Sequence, residues 1–459
     1  MESFKIISPV DEQIFEERSY ASNVEIAKVL ENGVSAFNVW RKFSVEQRAG
    51  FCHKVIQYFR SNSDQWGEEI TWQMGRPISY SPFEISKGFV ERAEYMVHIA
   101  EASLSDHHVS QKEGYNRYIK REPLGTVLVL APWNYPYLTA VNAVIPAIMA
   151  GNTVILKHAE QTALCAERFA EAFRASGIPE NVFQYIHCTH GQVGEIIEDQ
   201  RIAHVSFTGS VEGGRAIQEK IGKRFIGSGL ELGGKDPAYV TESADLNEAI
   251  SNLVDGAFFN SGQSCCGVER IYVQEKLFND FIEGFVAEVK KYQLGNPTSK
   301  ETTLGPVVRR SNAERIARQV AEALQKGAKP LIKSGDFPEF SLPYLAPQVL
   351  INVDHSMDIM QEETFGPVVG IMSVKDDEEA IRLMNDSKYG LTASIWTSEI
   401  ERAISIGDRV ETGTWFMNRC DYLDPELAWT GIKQSGKGCT LSSIGYETLT
   451  RPKSYHLKL

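Results

Sequence analysis

Thr126-Val127-Leu128-Val129-Leu130 is a short run of β-branched and aliphatic residues, and it predicts a strand that is buried on both faces. A turn at residues 131–136 follows, then a helix that ends at Ala150 and a second apolar strand at residues 153–156. Strands and helices that alternate at this spacing are typical of βαβ units, which build a parallel sheet. Ligands bind such sheets at the carboxyl ends of the strands, where the glycine-rich turns lie.

The alternation of strand and helix continues along the chain. Strands at residues 182–186 and 204–207 are separated by a short helix, and a second α/β region extends from residues 231–234 to about residue 434. In the first hundred residues, charged and apolar positions are mixed at helical spacing, which predicts helices. The alternating tail after Tyr446 predicts an edge strand. A chain of 459 residues is long enough for two large domains.

Composition and charge indicate an ordinary globular protein. Lys plus Arg number 47 against 60 for Asp plus Glu, and the net charge of −13 disfavours a nucleic-acid or anionic-membrane partner. The uncharged segment 123–156 is broken by prolines, asparagines and a glycine into pieces too short to cross a bilayer. Seven scattered cysteines and an N-terminus without the features of a secretion signal favour a reducing, cytoplasmic location.

Two adjacent cysteines, Cys265 and Cys266, follow the small polar run Asn260-Ser261-Gly262-Gln263-Ser264. Small and flexible neighbours suit a nucleophile, because a carbonyl substrate must approach the sulfur closely and free backbone N–H groups must receive the oxyanion. The alternative is a buried cysteine that acts as a small hydrophobic residue. These residues alone leave both interpretations open.

Three further segments contain ligand-binding residue types. At residues 207–214 a strand ends in a glycine turn that opens a helix, as at a pyrophosphate site, although a plain turn is an equal alternative because the spacing is not G-x-G-x-x-G. Residues 229–235 have the spacing of a phosphate-binding P-loop, but Asp236 stands where Ser or Thr must hold magnesium. Residues 187–190 contain two histidines and a cysteine without a second ligand cluster, so we predict no metal site.

Six motifs resemble the aldehyde dehydrogenase superfamily in sequence, order and spacing, and together they cover nearly the whole chain. They are Pro132-Trp133-Asn134-Tyr135-Pro136, Gly151-Asn152-Thr153-Val154-Ile155-Leu156-Lys157, Phe207-Thr208-Gly209-Ser210, Glu231-Leu232-Gly233-Gly234-Lys235, Gly262-Gln263-Ser264-Cys265 and Glu363-Thr364-Phe365-Gly366-Pro367. The resemblance implies an α/β fold with a Rossmann-like NAD-binding domain (residues 1–105 and 124–234) and an α/β catalytic domain (235–434). It also implies a small β oligomerisation element (106–123 and 446–459) and a homodimer or homotetramer.

The resemblance also implies the catalytic roles. Cys265, two places after Gln263, is the nucleophile that attacks a small-molecule aldehyde to give a thiohemiacetal and, after hydride transfer to nicotinamide, a thioester. The Asn134 amide and the Cys265 backbone N–H hold the oxyanion. Glu231 activates the water that hydrolyses the thioester. Members that pass the acyl group to coenzyme A typically lack this glutamate, so hydrolysis to a free acid is favoured.

For the cofactor, Lys157 and Glu160 match the family's contacts to the adenosine ribose. A carboxylate near the 2′ position accepts hydrogen bonds from a hydroxyl and repels a phosphate, so NAD is expected in preference to NADP. Glu363 is expected to hold the nicotinamide ribose, with Phe365 packed beside it. The other cofactor-binding positions that the resemblance implies are Trp133, Gly209, Ser210, Gly214 and Leu232.

The chain departs from the family pattern at several positions. Ala143 stands where many members carry a lysine, and Thr440 where many carry a second glutamate. Both family residues are linked to proton movement out of the site, so that route is in question. The usual Lys-Pro-Ser-Glu is Lys157-His158-Ala159-Glu160, and residues 428–436 replace the family's Pro-aromatic-Gly-Gly opening. The cofactor and catalytic roles survive these changes.

Seven positions match the wall of the family's aldehyde tunnel, namely Tyr135, Asn142, Phe259, Ser264, Cys266, Leu423 and Trp429. They form a mixed aromatic wall without a basic residue, which predicts uncharged aliphatic or aromatic aldehydes as substrates. Arg419 is close enough in sequence to reach this wall, and the acidic Asp421, Asp424 and Glu426 lie nearby.

Three alternatives accompany the prediction of an NAD-dependent, hydrolytic aldehyde dehydrogenase. The first two are enzymes, one that transfers the acyl group to coenzyme A and one that prefers NADP. The third is a catalytically silent homologue with a structural or binding role. The intact set of Asn134, Glu231 and Cys265 argues against the silent homologue.

Overall fold

The computed structural model describes residues 2–459, and its strands form four sheets. The strands are β1 (Ser3–Ile7), β2 (Ile14–Ser19), β3 (His107–His108), β4 (Tyr115–Pro123), β5 (Thr126–Ala131), β6 (Thr153–His158), β7 (Phe183–Tyr185), β8 (Ile202–Thr208), β9 (Gly227–Glu231), β10 (Asp236–Val240), β11 (Val268–Gln274), β12 (Lys329–Pro330), β13 (Gln348–Ile351), β14 (Val368–Val374), β15 (Thr392–Trp396), β16 (Thr414–Met417), β17 (Gly436–Lys437) and β18 (Thr450–Lys458).

Helices cover the faces of the two larger sheets. They are α1 (Asn23–Trp40), α2 (Val45–Ser61), α3 (Ser63–Met74), α4 (Ser81–Phe83), α5 (Val90–Leu104), α6 (Pro136–Ala150), α7 (Ala163–Ala175), α8 (His190–Glu198), α9 (Val211–Ile221), α10 (Leu246–Phe258), α11 (Phe278–Val289), α12 (Arg310–Gln325), α13 (Asp358–Gln361), α14 (Asp377–Asn385), α15 (Ile400–Gly407) and α16 (Ser442–Gly445). A π-helical turn at Glu84–Phe89 leads into α5, and short 3₁₀ turns lie at Glu160–Thr162, Phe259–Gly262, Glu275–Leu277 and Lys433–Ser435.

The first large sheet has six strands in the order β17-β9-β8-β5-β6-β7. All its neighbouring pairs are parallel except β17 with β9. All six residues of β5 are buried, because helices pack on both faces of the sheet. The predicted βαβ unit is confirmed as β5, α6 and β6, and α6 ends at Gly151 in the left-handed conformation that favours glycine.

The second large sheet has seven strands in the order β12-β13-β14-β11-β10-β15-β16. The short edge strand β12 is antiparallel to β13, and the other neighbouring pairs are parallel. Separate apolar clusters cover its two faces. The predicted second α/β region therefore has its own sheet and its own core, as two large units in one chain require.

A three-stranded antiparallel sheet, in the order β18-β4-β3, joins the segment before β5 to the end of the chain. The pairing of β18 with β4 extends over nine residues, from Thr450 opposite Pro123 to Lys458 opposite Tyr115. The strand predicted in the alternating tail is β18, and it lies at the edge of this sheet with most of its residues exposed.

The prediction that the first hundred residues are helical is wrong at the N-terminus. Residues 3–19 form an antiparallel hairpin of β1 and β2, and the first helix begins at Asn23. Phe4 and Ile6 are buried while their neighbours are exposed, so β1 has the period of two that a half-buried strand requires. The apolar residues of this hairpin pack against Ala163 and Leu164 at the start of α7.

Candidate active site

The loop before the two cysteines has an unusual backbone. Asn260 and Ser261 have φ angles of 53° and 55°, in the left-handed region that non-glycine residues rarely occupy. Gly262 has φ of 68°, and an added Cβ there would lie 2.2 Å from the carbonyl oxygen of Gly366. Strained conformations of this kind persist only where the surroundings enforce them, and they are concentrated at functional sites. The loop therefore turns sharply and places Cys265 in a fixed position.

Buried hydrogen bonds hold this loop in place. Gln263 accepts a hydrogen bond from the Val308 N–H through Oε1 (2.8 Å) and donates through Nε2 to the Asn260 carbonyl (3.1 Å). The Ser261 hydroxyl donates to the carbonyl of Gly305 (2.8 Å). Gln263 is 1% exposed, so each of its polar atoms needs such a partner. The residue that identifies Cys265 in the sequence is thus also the residue that anchors the loop.

Asn134 lies in the turn after β5 and contacts the cysteine loop. Its Nδ2 donates to the carbonyl of Gln263 at 3.2 Å, two residues before Cys265. In the opposite direction, Nδ2 of Asn260 donates to the Asn134 carbonyl at 3.2 Å. The Arg76 guanidinium donates to this same carbonyl and, at 3.0 Å, to Oδ1 of Asn260. The Asn134 amide is therefore fixed beside the cysteine.

Arg76 itself is half of a buried ion pair with Glu84, whose side chain is 1% exposed, as is that of Arg76. The Glu84 carboxylate also accepts from the backbone N–H groups of Tyr137 (2.7 Å) and Leu138 (3.0 Å). These groups lie in the first turn of α6, where unpaired N–H groups and the helix dipole favour a negative charge. The pair thus ties α6 and the Asn134 turn to the cysteine loop.

Glu231 is the last residue of β9, and hydroxyl groups hold both of its carboxylate oxygens. The Thr440 hydroxyl donates to Oε1 at 2.5 Å, and the Thr208 hydroxyl donates to Oε2 at 3.0 Å. Burial raises the pKa of the Glu231 carboxyl, although both hydrogen bonds oppose the shift. A carboxylate with a raised pKa is better suited to accept a proton near neutral pH.

Cys265 and Glu231 line one cavity of about 260 Å³. All seven residues predicted for the substrate pocket also lie in its wall: Tyr135, Asn142, Phe259, Ser264, Cys266, Leu423 and Trp429. Sequence reasoning missed other members of this wall, among them Arg92, Thr208 and Asp255, and Asp421, noted as nearby in sequence, also lies in it. An aldehyde in this cavity is within the same enclosure as both the thiol and the carboxylate.

The prediction of a wall without a basic residue is wrong, because Arg92 of α5 lies in it. Arg92 is 6% exposed, and its Nη1 donates to the Leu138 carbonyl (2.8 Å) and to Oδ1 of Asn142 (3.2 Å). Within residues 2–459 it forms no ion pair, and burial lowers its pKa. Arg419, the cation considered from sequence, does not line the cavity and lies over the ring of Tyr422 at 3.6 Å.

Asp421 lines the cavity and contacts two residues of the cysteine loop. Its Oδ1 accepts from the Ser264 hydroxyl (3.0 Å) and from the Cys266 thiol (2.9 Å). Burial raises the pKa of Asp421 to about 7. The hydrogen bond to Cys265, together with burial and the charge of Asp421, raises the pKa of the Cys266 thiol. These effects favour the protonated form of the Cys266 thiol.

The residues predicted to bind the adenosine ribose lie at the end of β6 and just beyond it. Lys157 is 8% exposed, its pKa is lowered by burial, and it makes no side-chain hydrogen bond or ion pair within residues 2–459. Glu160 accepts a hydrogen bond from the Tyr20 hydroxyl at 2.7 Å. At the end of β8, Ser210 caps α9 by accepting from the Gly213 N–H at 3.1 Å. A buried ammonium without a partner fits the oxygen atoms of a ribose.

The other predicted cofactor residues come from α9 and from the segments that follow β5, β8 and β9 or precede β14. An added Cβ on Gly214 would lie 2.7 Å from the Leu232 side chain, so this helix start packs closely on the strand. The Trp133 and Phe365 rings meet edge to face at 5.5 Å. Glu363 accepts from the Gly234 N–H at 3.0 Å, and burial raises its pKa to about 7. Gly209 donates its N–H to the Glu231 carbonyl at 3.0 Å.

Known proteins resemble this chain over nearly its whole length. A model of the aldehyde dehydrogenase family matches residues 1–455. The chain belongs to this family. The resemblance of the six motifs is thereby confirmed, and so is the expected fold, because solved members of the family superpose on the whole chain.

Individual aldehyde dehydrogenases differ in the substrates and cofactors that their descriptions give. A succinate semialdehyde dehydrogenase of Escherichia coli, described as using NAD(P)+, is 34% identical over 93% of this chain and 92% of its own length. A succinic semialdehyde dehydrogenase from Streptococcus pyogenes, solved with NADP+, superposes with a TM-score of 0.94 at 28% identity, covering 99% of this chain and all of its own. An NAD-dependent aldehyde dehydrogenase from Sinorhizobium meliloti superposes with a TM-score of 0.95 at 30% identity, covering all of this chain and 92% of its own.

Other features bear on the expectations for metals, thiols and membranes. All seven cysteines are free thiols. Among residues 2–459, no three His, Cys, Asp or Glu side chains are grouped so that they could hold a metal ion. The helices in this part of the chain include none with the length and apolar character needed to cross a membrane.

Proposed function

We infer that this aldehyde dehydrogenase oxidises an aldehyde to the free carboxylic acid through a thioester on Cys265. The enclosure of Cys265 and Glu231 in one cavity carries this proposal, because the two chemical steps need a nucleophile and a base at the same carbon. The Asn134 amide, held on the carbonyl of Gln263, supports the assignment of an oxyanion site beside the sulfur.

The steps follow from these residues. The Cys265 thiolate adds to the aldehyde carbon, and the oxygen becomes an alkoxide that the Asn134 amide and the Cys265 N–H stabilise. A nicotinamide dinucleotide, when bound, supplies the acceptor for the hydride that this carbon loses. The resulting thioester is attacked by a water whose proton Glu231 takes, and cleavage of the carbon–sulfur bond releases the acid and the thiolate.

Hydrolysis, rather than transfer to coenzyme A, is supported by Glu231 and its two hydroxyl partners. Wild-type enzyme should form reduced dinucleotide from an aldehyde in repeated turnovers without coenzyme A, with free acid as the product. A strict requirement for coenzyme A would contradict hydrolysis. If a broad aldehyde panel gave no turnover with either dinucleotide, the catalytically silent alternative would be favoured instead.

NAD is the proposed cofactor, with NADP less favoured, because a carboxylate lies at the expected ribose site. Tyr20 fixes Glu160 by a hydrogen bond of 2.7 Å, so the charge cannot easily turn away from a 2′-phosphate. Two relatives described above are linked to NAD(P)+ or NADP+, so the preference of this chain for NAD over NADP needs a direct test.

Glu160→Gln should therefore shift the ratio of kcat/KM values towards NADP by at least about tenfold, which corresponds to about 1.4 kcal/mol. The physical reason is the removal of repulsion between the carboxylate and the 2′-phosphate. Tyr20→Phe is the matched control, because it releases the carboxylate but keeps its charge, and it should weaken use of NAD without a comparable gain for NADP. An unchanged ratio in Glu160→Gln would contradict the proposed position of the ribose.

Arg92 makes a carboxylated aldehyde a second candidate substrate class beside the uncharged aldehydes expected from sequence. A buried guanidinium without an anionic partner is costly, and a substrate carboxylate would compensate its charge. The descriptions of two relatives as succinate semialdehyde dehydrogenases agree with this possibility.

A matched pair of four-carbon substrates tests this candidate. Wild-type enzyme should use succinic semialdehyde with a higher kcat/KM than butanal. Arg92→Met should reduce this preference by about 10- to 150-fold, because a hydrogen bond to a charged group contributes about 1.5–3 kcal/mol. If the wild-type enzyme prefers butanal, uncharged aldehydes are the better assignment.

The three-stranded sheet supports the proposed domain division of residues 1–105 with 124–234, 235–434, and 106–123 with 446–459. Among the strands of residues 2–459, β18 pairs with β4 alone, and such an exposed edge favours pairing with another chain. We therefore propose that this element joins subunits in a homodimer or homotetramer. Light scattering of the full chain that gives a monomer mass at micromolar concentration would contradict this assignment.

A further inference from the structure

Hydrolysis of the thioester delivers one proton to Glu231 in each turnover, and that proton must leave before the next. The two positions that the family resemblance links to proton release hold groups that do not titrate near neutral pH, Ala143 and Thr440. Thr440 instead donates a hydrogen bond to Oε1 of Glu231 at 2.5 Å. Neither position therefore supplies a titrating group that could take the proton from Glu231.

A small cavity lies behind Glu231, between α6 and the strands β8 and β9. The space open to the centre of a water molecule amounts to about 20 Å³, and one water needs about 10–15 Å³. Ala143, Gly229, Glu231 and Thr440 are among its lining residues. A Cβ added to Gly229 would meet no atom within 4 Å, so the space is open directly above this glycine.

Two buried polar atoms without hydrogen-bond partners belong to residues that line this cavity. They are Nδ2 of Asn142 and Nδ1 of His204, and these side chains are 3% and 2% exposed. Arg92 donates to Oδ1 of Asn142, which orients the amide and leaves Nδ2 as a free donor. Burial, with a smaller contribution from the charge of Lys437, lowers the pKa of His204 to about 4, so its ring is neutral. In the neutral ring, Nδ1 accepts a hydrogen bond when the proton is on Nε2.

Polar groups extend from Glu231 along one face of the sheet. His204, Ser206 and Thr208 alternate along β8 and therefore share a face. Opposite them in register on β9 are Gly227, Gly229 and Glu231. Gly229 leaves open space beside Ser206, whereas the His204 ring packs over Gly227, where an added Cβ would lie 3.0 Å from Nδ1. The row leads from the carboxylate towards His204 and the exposed Lys437, whose charge acts on the histidine.

We propose that a water held by Asn142 and His204 carries the proton of hydrolysis away from Glu231, a proposal that rests on the function of Glu231 given above. The attacking water loses a proton to the carboxylate as its oxygen bonds to the thioester carbon. Glu231 then transfers a proton to the cavity water, which releases one to bulk water along the β8 row. The carboxylate is regenerated, and no proton accumulates. Asn142 and His204 are positioning residues for this water.

The sharpest test compares two small substitutions at Gly229. Gly229→Ala places a methyl group in the cavity and should lower the steady-state rate at least about fivefold, because proton transfer then limits hydrolysis. The single-turnover rate of hydride transfer should stay close to the wild-type value. Gly229→Ser also fills the cavity, but its hydroxyl group can replace the hydrogen bonds of the water. This variant should therefore recover much of the rate that Gly229→Ala loses. Gly50→Ala, at an open surface position on α2, is the control for substitution of a glycine by alanine.

Two further readouts separate proton transfer from a structural defect. In Gly229→Ala and His204→Leu, small buffers such as imidazole should raise the steady-state rate with increasing concentration, and the effect of D2O on that rate should exceed the wild-type effect. Equal rates for the Ala and Ser variants, or wild-type buffer and D2O dependence in both variants, would overturn the proposal. If Glu231→Gln itself left steady-state turnover unchanged, the proposed function would fail first, and the two failures are thus distinguishable.

Discussion

Glu231→Gln should leave the first turnover nearly intact and slow every later one. The hydride transfer that follows attack by Cys265 needs no base at Glu231, so single-turnover formation of reduced dinucleotide should remain near the wild-type rate. Hydrolysis loses its base, and general-base catalysis is worth about 10²–10⁴-fold. Stopped-flow measurement should therefore give a burst of about one equivalent, followed by a steady-state rate reduced by about that factor.

Glutamine is a conservative replacement, because it keeps the size of the side chain and its Oε1 and removes only the basic carboxylate. The hydroxyls of Thr440 and Thr208 keep an acceptor in at least one position, so a general collapse of the site is not expected. Cys265→Ala serves as the control without a nucleophile and should give neither burst nor turnover. Equal losses of burst and steady-state rate in Glu231→Gln would contradict the assignment of this residue to hydrolysis.

The direction of the Glu231 pKa shift predicts the pH dependence of the wild-type enzyme. Burial raises this pKa, and only the ionised carboxylate accepts a proton. As pH falls, hydrolysis should therefore weaken at a higher pH than an ordinary glutamate would cause. The pH profile of the steady-state rate should show this loss, and the profile of the single-turnover rate should not contain the same step.

The sequence predicts the parts of this protein that depend on local pattern or short motifs. The strands β5 and β6 are recognisable by uninterrupted apolar runs between turns, and β8 by apolar residues that alternate with polar ones. The residues of the cavity wall that follow motif positions, such as Ser264 and Cys266, also lie where they were expected. The hairpin of β1 and β2 was missed because only Phe4 and Ile6 of its strand residues are buried and its exposed residues include both charged and apolar types, although β1 alternates with a period of two.

The remaining parts of the site depend on contacts between distant segments. Arg92 on α5 approaches the cavity only because α5 packs against α6, and no local pattern marks it as a pocket residue. Thr440 approaches Glu231 because β17, which lies just before Thr440, pairs antiparallel with β9, which ends at Glu231. A single side chain that meets its partner across 209 residues has no periodicity to reveal it.

The second large effect is expected at the buried pair of Arg76 and Glu84. Arg76→Met removes the cation but leaves the Glu84 carboxylate at 1% exposure, with the N–H groups of Tyr137 and Leu138 as its remaining partners. Removal of one partner from a buried pair typically costs about 3–5 kcal/mol. The helix dipole of α6 offsets part of that cost, so the lower half of this range is expected. Chemical denaturation of the full chain measures the change in free energy of unfolding.

The comparison with an exposed pair isolates the effect of burial. Arg409→Met breaks a pair with Glu378 in which the side chains are 48% and 71% exposed, and it should cost no more than about 1 kcal/mol. Arg76→Lys should recover part of the stability of Arg76→Met, because it restores a charge without the planar fork of a guanidinium. Similar losses for Arg76→Met and Arg409→Met would show that burial of the first pair has no energetic consequence.

Catalysis adds a readout that stability alone does not provide. Arg76 donates to the Asn134 carbonyl and to Oδ1 of Asn260, so its loss releases both the oxyanion residue and the cysteine loop. The step that should slow is therefore the attack on the aldehyde, and a misplaced oxyanion donor costs about 10²–10³-fold. Single-turnover hydride transfer should fall in Arg76→Met but not in Glu231→Gln. This opposite pattern assigns the two residues to different steps, because one positions the oxyanion site and the other serves hydrolysis.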